Sequence, residues 1–140
     1  MPSSTFSLDP RLEGDTRWVR DFPLSTVRLM DDASYPWIIL VPKRTGLVEL
    51  IDLEGEDRTQ LGIEIDAACR ALKAATGCHK LNVAALGNMV RQLHVHIIAR
   101  FEDDPAWPGP VWGMSPLVHY EDADMAKLLM NIRHHLDAQI

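Results

Sequence analysis

Only two cysteines occur in the 140 residues, Cys69 and Cys78, and they form no Cys-x-x-Cys pair. That count excludes a disulfide framework and the common dithiol and zinc-ribbon motifs. Cys69 falls in a predicted helix, so a buried thiol in a reducing cytoplasm is the expectation. Long apolar runs are missing too, and the longest stretches fall far short of the roughly 20 residues a membrane span requires. Met1–Asp9 lacks the basic-then-apolar order of a secretory leader. There is no basic excess either: 14 Lys and Arg face 20 Asp and Glu, a net charge of −6. Nucleic acid and membranes are therefore excluded as expected partners, since broad nucleic-acid binding needs a basic stripe. A small anion remains allowed if Lys43, Arg44, Arg91 or Arg100 build a local positive pocket. No internal repeat or low-complexity segment occurs. What is present, 46% apolar and 24% charged residues, is ordinary for one globular domain with a sizeable core.

Residues 1–16 are polar and turn-rich, predicting an arm with little regular structure ahead of a single domain over 17–140. Val27–Met30 reads as a short strand, with a turn at 31–34. The β-prone run Trp37-Ile38-Ile39-Leu40-Val41, bounded by Pro36 and Pro42, predicts a central strand buried on both faces. A third, shorter strand is expected near 47–50. Leu61, Ile65, Ala68 and Leu72 recur at helical spacing, and Gly77 is placed to end that helix in a left-handed conformation. Leu81–Ala84 predicts a strand, Leu86-Gly87-Asn88 a turn, and Val90–Phe101 a further strand. Four prolines exclude regular structure over 102–116. A last helix follows an N-cap at Asp122, with Met125, Leu128, Leu129, Ile132 and Leu136 on one face. Strands joined by short turns imply an antiparallel sheet, hence an α+β domain.

Gln92-Leu93-His94-Val95-His96-Ile97-Ile98 alternates polar and apolar residues at period two, the pattern of a half-buried strand. Gln92, His94 and His96 then share one face at roughly 7 Å intervals. Three chemistries stand beside a purely packed role for the histidines. His-x-His supplies two metal ligands, but zinc wants three or four, leaving His79, His119, Asp31 or a cysteine to complete the set. Imidazole also suits general acid–base work with a water nucleophile, because its pKa lies close to neutrality. The third is covalent: a neutral imidazole attacks phosphorus while a second group binds the equatorial oxygens.

The ordered set of motifs resembles the histidine-triad family, whose signature is His-x-His-x-His followed by two apolar residues. Asp31 and Trp37–Lys43 look like the family's nucleoside-binding turn and following strand, and Leu81-Asn82 and Gly87-Asn88 fall where the family has them. The resemblance spans roughly residues 20–105. Leu81–Asn88, Gln92–His96, Trp107-Pro108 and Val111-Trp112-Gly113 are together similar to a bacterial, diadenosine-tetraphosphate-hydrolase-like subgroup. The family implies a five-stranded antiparallel sheet with packed helices, usually as a homodimer. It implies hydrolysis or transfer on nucleoside phosphate anhydrides or phosphoramidates through a nucleotidyl-histidine. A purine nucleotide or dinucleoside polyphosphate is the implied ligand. No cofactor is required, though Mg²⁺ can accompany a polyphosphate.

Carried over by position, His94 is the nucleophile and His96 binds a non-bridging phosphate oxygen. Asp31, Asn82, Asn88 and Met89 fall at the nucleotide contacts. Gln92 replaces the first triad histidine. In the family the acceptor for the nucleophile's Nδ1–H is that residue's main-chain carbonyl, which a side-chain change leaves in place. Protonation of the leaving group is then unassigned. Trp37 stands where many members carry another His and is expected to pack as an aromatic entering the core. The Trp107–Trp112 loop either caps the site or lies as a lid on its own domain. His79, His119, His134 and His135 are assigned structural or surface roles. A nucleotide-binding or interaction protein with weak catalysis is the alternative reading.

Overall fold

In the computed structural model, which describes residues 5–139, the two strands richest in β-branched and aliphatic residues lie side by side at mid-sheet. The chain runs α1 (Pro10–Asp15), β1 (Thr16–Asp21), β2 (Ser25–Met30), β3 (Trp37–Pro42), α2 (Gly55–Thr76), β4 (Lys80–Ala84), β5 (Val95–Arg100) and α3 (Asp122–Asp137). The strands form one antiparallel sheet in the order β1-β2-β3-β5-β4. This is the expected α+β architecture.

β3 and β5 are buried along their whole length. Their alternate side chains enter two separate cores. Ile38, Leu40, Val95 and Ile97 pack with residues of α2 and α3, among them Leu61, Ala68, Leu72, Ile132 and Leu136. Trp37, Ile39, Val41 and Ile98 pack on the opposite face with Leu12, Ala106 and Val111, flanked by half-buried Phe6, Leu8 and Trp112. The N-terminal segment and the proline-rich loop therefore cover the second face. That corrects the half-buried reading of the histidine strand.

Four other expectations change. Residues 10–15 are helical and not an irregular arm: Asp9 accepts from Arg11 N at 2.8 Å, and Pro10 opens the helix. The strand β1 was not anticipated. Residues 47–50 form no strand; Leu50–Asp52 is a 3₁₀ turn, because the Asp52 carboxylate takes the N–H groups of Val48 and Glu49. The strand expected from Val90 begins only at Val95, since Leu93 N bonds to Leu47 O and not to a ladder partner. The cap position of α3 is Glu121, one residue before Asp122.

α2 ends as expected at Gly77, whose φ of 65° is the left-handed cap. Its less legible feature is Glu64, buried among the helix's core-facing residues. Its carboxylate accepts from Leu24 N (2.7 Å), Ser25 N (2.9 Å) and Gln60 Nε2 (2.8 Å), so the helix closes the β1–β2 turn. Glu64→Leu strands two buried amide donors and is expected to cost about 2–3 kcal/mol. Urea unfolding checks this; a loss below about 0.5 kcal/mol would contradict it.

Candidate active site

His94, just before β5, and His96, within it, have ring centroids 4.8 Å apart. Both are 6% exposed. Each ring has one nitrogen fixed by a partner, and the two partners impose opposite tautomers. His94 Nδ1 lies 2.7 Å from the Gln92 main-chain carbonyl. A carbonyl oxygen only accepts, so His94 carries its proton on Nδ1 and leaves a lone pair on Nε2. His96 Nδ1 lies 3.0 Å from Trp37 Nε1. An indole N–H only donates, so His96 accepts at Nδ1 and holds its proton on Nε2.

Neither Nε2 has a hydrogen-bond partner among the described residues. Among the described residues the fully buried side-chain atoms without a partner are Arg20 Nε and Ser25 Oγ, and neither Nε2 is one of them. Both Nε2 atoms therefore reach solvent although the rings are nearly buried. The pair presents one nucleophilic lone pair and one N–H donor.

Burial, reinforced by repulsion from His94, pushes His96 down from the ordinary 6.5 to about 4. Between these values the unfolded chain binds a proton that the folded chain refuses. Stability is therefore full above pH 6.5 and falls as pH drops towards 4. At pH 5 the loss amounts to about 2 kcal/mol. His96→Gln is expected to remove this increment from the difference between urea curves at pH 7 and pH 5. An unchanged difference would contradict it.

Trp37 is thus more than the packed aromatic expected from sequence. It sits two positions before Ile39, which pairs with His96 across β3 and β5, so both side chains share a face. Trp112 covers the same ring at 5.1 Å and stands edge-on to Trp37 at 5.8 Å. The two loop tryptophans separate: Trp112 caps His96, while Trp107 lies under the Arg100 guanidinium at 5.6 Å and meets His79 edge-on at 5.2 Å.

Gln92 does not share a strand face with the histidines, because β5 starts after it. Its amide latches the N-terminal segment, accepting from Asp9 N at 2.8 Å and donating to Ser7 O at 2.9 Å. Asp31 accepts from His119 Nδ1 and Tyr120 N, both at 2.9 Å. Burial opposes its ionisation, but those bonds outweigh burial and hold it below the usual carboxylate range. His119, expected to be plain surface, is therefore Asp31's partner. Asn82 accepts from Arg100 Nη1 at 2.8 Å, with its β-strand neighbour Ala84 paired to His96. Asn88 and Met89 are exposed in the loop before His94.

Two cavities flank the pair. One, about 300 Å³, is lined by His94, Gly87, Leu86 and the 48–51 segment. The other, about 250 Å³, is lined by Asp31, Asp32, Trp37, Trp112 and His119. Lys43 and Arg44 do line one cavity, of about 600 Å³, but Asp52, Glu54 and Asp57 line it too. Exposed Arg91 and buried Arg100 lie outside it, so the anticipated positive pocket does not assemble. Lys43 bonds to Phe22 O, Arg44 pairs with Asp57, and buried Arg100 pairs with Asp104. Among the described residues no three His, Cys, Asp or Glu side chains group as a metal site, and no helix is long and apolar enough to cross a membrane. Cys69 and Cys78 are free thiols.

The HIT domain family matches residues 11–103. A histidine triad protein from Bradyrhizobium japonicum superposes with a TM-score of 0.93 at 47% identity, covering 95% of this chain and 99% of that one. A histidine triad (HIT) protein from Sinorhizobium meliloti 1021 gives 0.92 at 44%, covering 94% and 97%. Another histidine triad protein, from Marinobacter aquaeolei VT8, gives 0.94 at 41%, covering 98% and 100%. No functionally curated protein matches the chain. With the family matched over most of its length and three such relatives aligned end to end, the chain belongs to the HIT-domain, or histidine-triad, family.

Proposed function

We propose that the protein hydrolyses or transfers nucleoside monophosphate from an anhydride or phosphoramidate through a nucleotidyl-His94 intermediate. Family membership supports nucleotide binding and hydrolase or transferase chemistry in general. The observation that carries the finer reading is the pair of opposite tautomers, an Nε2 lone pair on His94 beside an Nε2–H on His96. His94 Nε2 attacks the α-phosphorus; the P–N bond forms as the bond to the leaving group breaks, and the leaving group keeps the electron pair. His96 Nε2–H donates to a non-bridging oxygen whose charge grows in the transition state. Water then forms a P–O bond as the P–N bond breaks, His94 regains its lone pair, and the proton lost by the attacking water passes to solvent.

A neutral His96 is a poor proton source at pH 7, and Gln92 carries no titratable proton. The leaving group therefore takes its proton from water, from a residue of the C-terminal loop or from a group of the substrate itself, with Gln92 contributing its main-chain carbonyl. The Asp31–Trp112 cavity suits a nucleoside, with carboxylates for ribose hydroxyls and an indole for the base. Asn88, Met89 and the amide nitrogen of Asn82 are the remaining nucleotide contacts we assign. Mg²⁺ would enter with a polyphosphate substrate as its counterion. A purine nucleotide or dinucleoside polyphosphate, in keeping with the diadenosine-tetraphosphate-hydrolase-like subgroup, is the ligand class we favour, and the cytoplasm the compartment.

We also infer a homodimer. β4 leaves an open sheet edge with exposed Val83, and Leu86 and Met89 are exposed just beyond it.

Hydrolysis assays on adenosine phosphoramidate and diadenosine tetraphosphate, beside a calorimetric AMP titration, test the reading. Turnover of either supports it. Tight AMP binding with no turnover favours a nucleotide-binding protein with vestigial catalysis, a reading that the commitment of Gln92's side chain to Ser7 and Asp9 supports.

A further inference from the structure

We propose that Trp37 is the positioning residue of the site: its indole N–H, 3.0 Å from His96 Nδ1, fixes His96 as a permanent Nε2–H donor. This rests on the proposed role of His96. An unrestrained neutral imidazole exchanges between two tautomers, and only one offers N–H at Nε2. A Trp N–H cannot accept, so it selects that tautomer without titrating over the working pH range. It also opposes protonation, because an Nδ1–H would face the indole N–H donor to donor. A histidine at position 37 would differ on both counts, being able to accept as well as donate.

The surroundings make the indole decisive. β3 presents Trp37 and Ile39 to His96, β4 pairs Ala84 with it, and Trp112 covers its face. His94 is the titratable group facing it, and its Nδ1–H is already committed to Gln92 O. No other side-chain donor or acceptor among the described residues holds His96. Trp112 cannot substitute, since its ring meets His96 edge to face at 79° and makes no hydrogen bond to it.

The test is ¹⁵N NMR on the full-length wild-type protein and on Trp37→Phe, with steady-state kinetics beside it. In the wild type, His96 is expected in the Nε2–H form from pH 5 to 8, with a scalar coupling across the hydrogen bond from Trp37 Nε1 to His96 Nδ1. In Trp37→Phe, His96 is expected to populate both tautomers and to titrate nearer its ordinary range. Its kcat should then fall about two- to fivefold, in step with the share of His96 lost from the Nε2–H form, with KM within about twofold. Absence of the coupling in the wild type overturns the proposal even if the variant fails to fold. So does a Trp37→Phe enzyme in which His96 keeps the same tautomer and the same NMR titration. A coupling that is present, in a protein whose turnover survives His94→Ala, leaves the hydrogen bond standing and instead refutes the catalytic reading.

Discussion

His94→Ala is expected to lower turnover at least about 10³-fold while AMP affinity stays within about tenfold. The asymmetry follows from what the side chain does. Its Nδ1–H bonds to Gln92 O within the same short segment, so removing the ring leaves the β3–β5 pairing in place. The Asp31–Trp112 cavity does not include His94, and a nucleoside held there keeps its contacts. What disappears is the lone pair that forms the P–N bond. Loss of turnover with retained AMP binding separates a missing nucleophile from a damaged pocket. Turnover within tenfold of wild type would show that water, or another residue, attacks phosphorus.

The second large effect is expected from His96. Its Nε2–H is a donor to an oxygen that gains charge only as the reaction proceeds, so its removal should appear mainly in kcat. His96→Ala is expected to reduce kcat about 10²–10³-fold, with KM changed less than fivefold. His96→Gln, which keeps an N–H donor, is expected to recover part of that loss. A His96→Ala enzyme impaired in KM alone would mean that the residue binds ground state and transition state equally. Its assignment as the oxygen ligand would then fail.

Much of this fold is legible in the chain because the signals are strong and local. Trp37–Val41 is too apolar for anything but a strand covered on both sides, and Leu61–Leu72 followed by Gly77 specifies a helix with its stop. The misses have physical causes. β1 escapes a period-two reading because a bulge between Trp18 and Arg20 leaves Thr16 and Val19, three positions apart, as its buried residues. Residues 47–50 have strand-like composition, but Asp52 claims the N–H groups of Val48 and Glu49 from three and four residues away, which closes a local turn instead. The helix at Pro10–Asp15 did carry its signal, an Asp-Pro start, but its turn-rich composition pointed the other way.

The site was legible in its residues and less so in its geometry. His94 and His96 stand out by spacing alone, whereas the reading of three residues on one strand face placed Gln92 wrongly. Gln92's amide and its carbonyl serve different partners, the first holding Ser7 and Asp9, the second holding His94. Trp37's donor role depends on a diagonal contact between β3 and β5, which exists only once the register is known. Asp31's partnership with His119 spans 88 residues and leaves no local trace. Arg100, among the most buried large side chains, reads from sequence as a candidate for an anion pocket because sequence does not show the Asp104 and Asn82 that neutralise and hold it.

The central claim is a covalent bond between His94 and phosphorus. It is tested most directly by mixing the protein with adenosine phosphoramidate or diadenosine tetraphosphate and quenching during turnover in base, where a phosphorus–imidazole bond survives better than in acid. Peptide mass spectrometry then locates any adduct. One nucleoside monophosphate is expected on the peptide containing His94, mapped to that ring and absent from His94→Ala. Turnover with no adduct on His94, or with the adduct on another side chain, would contradict it.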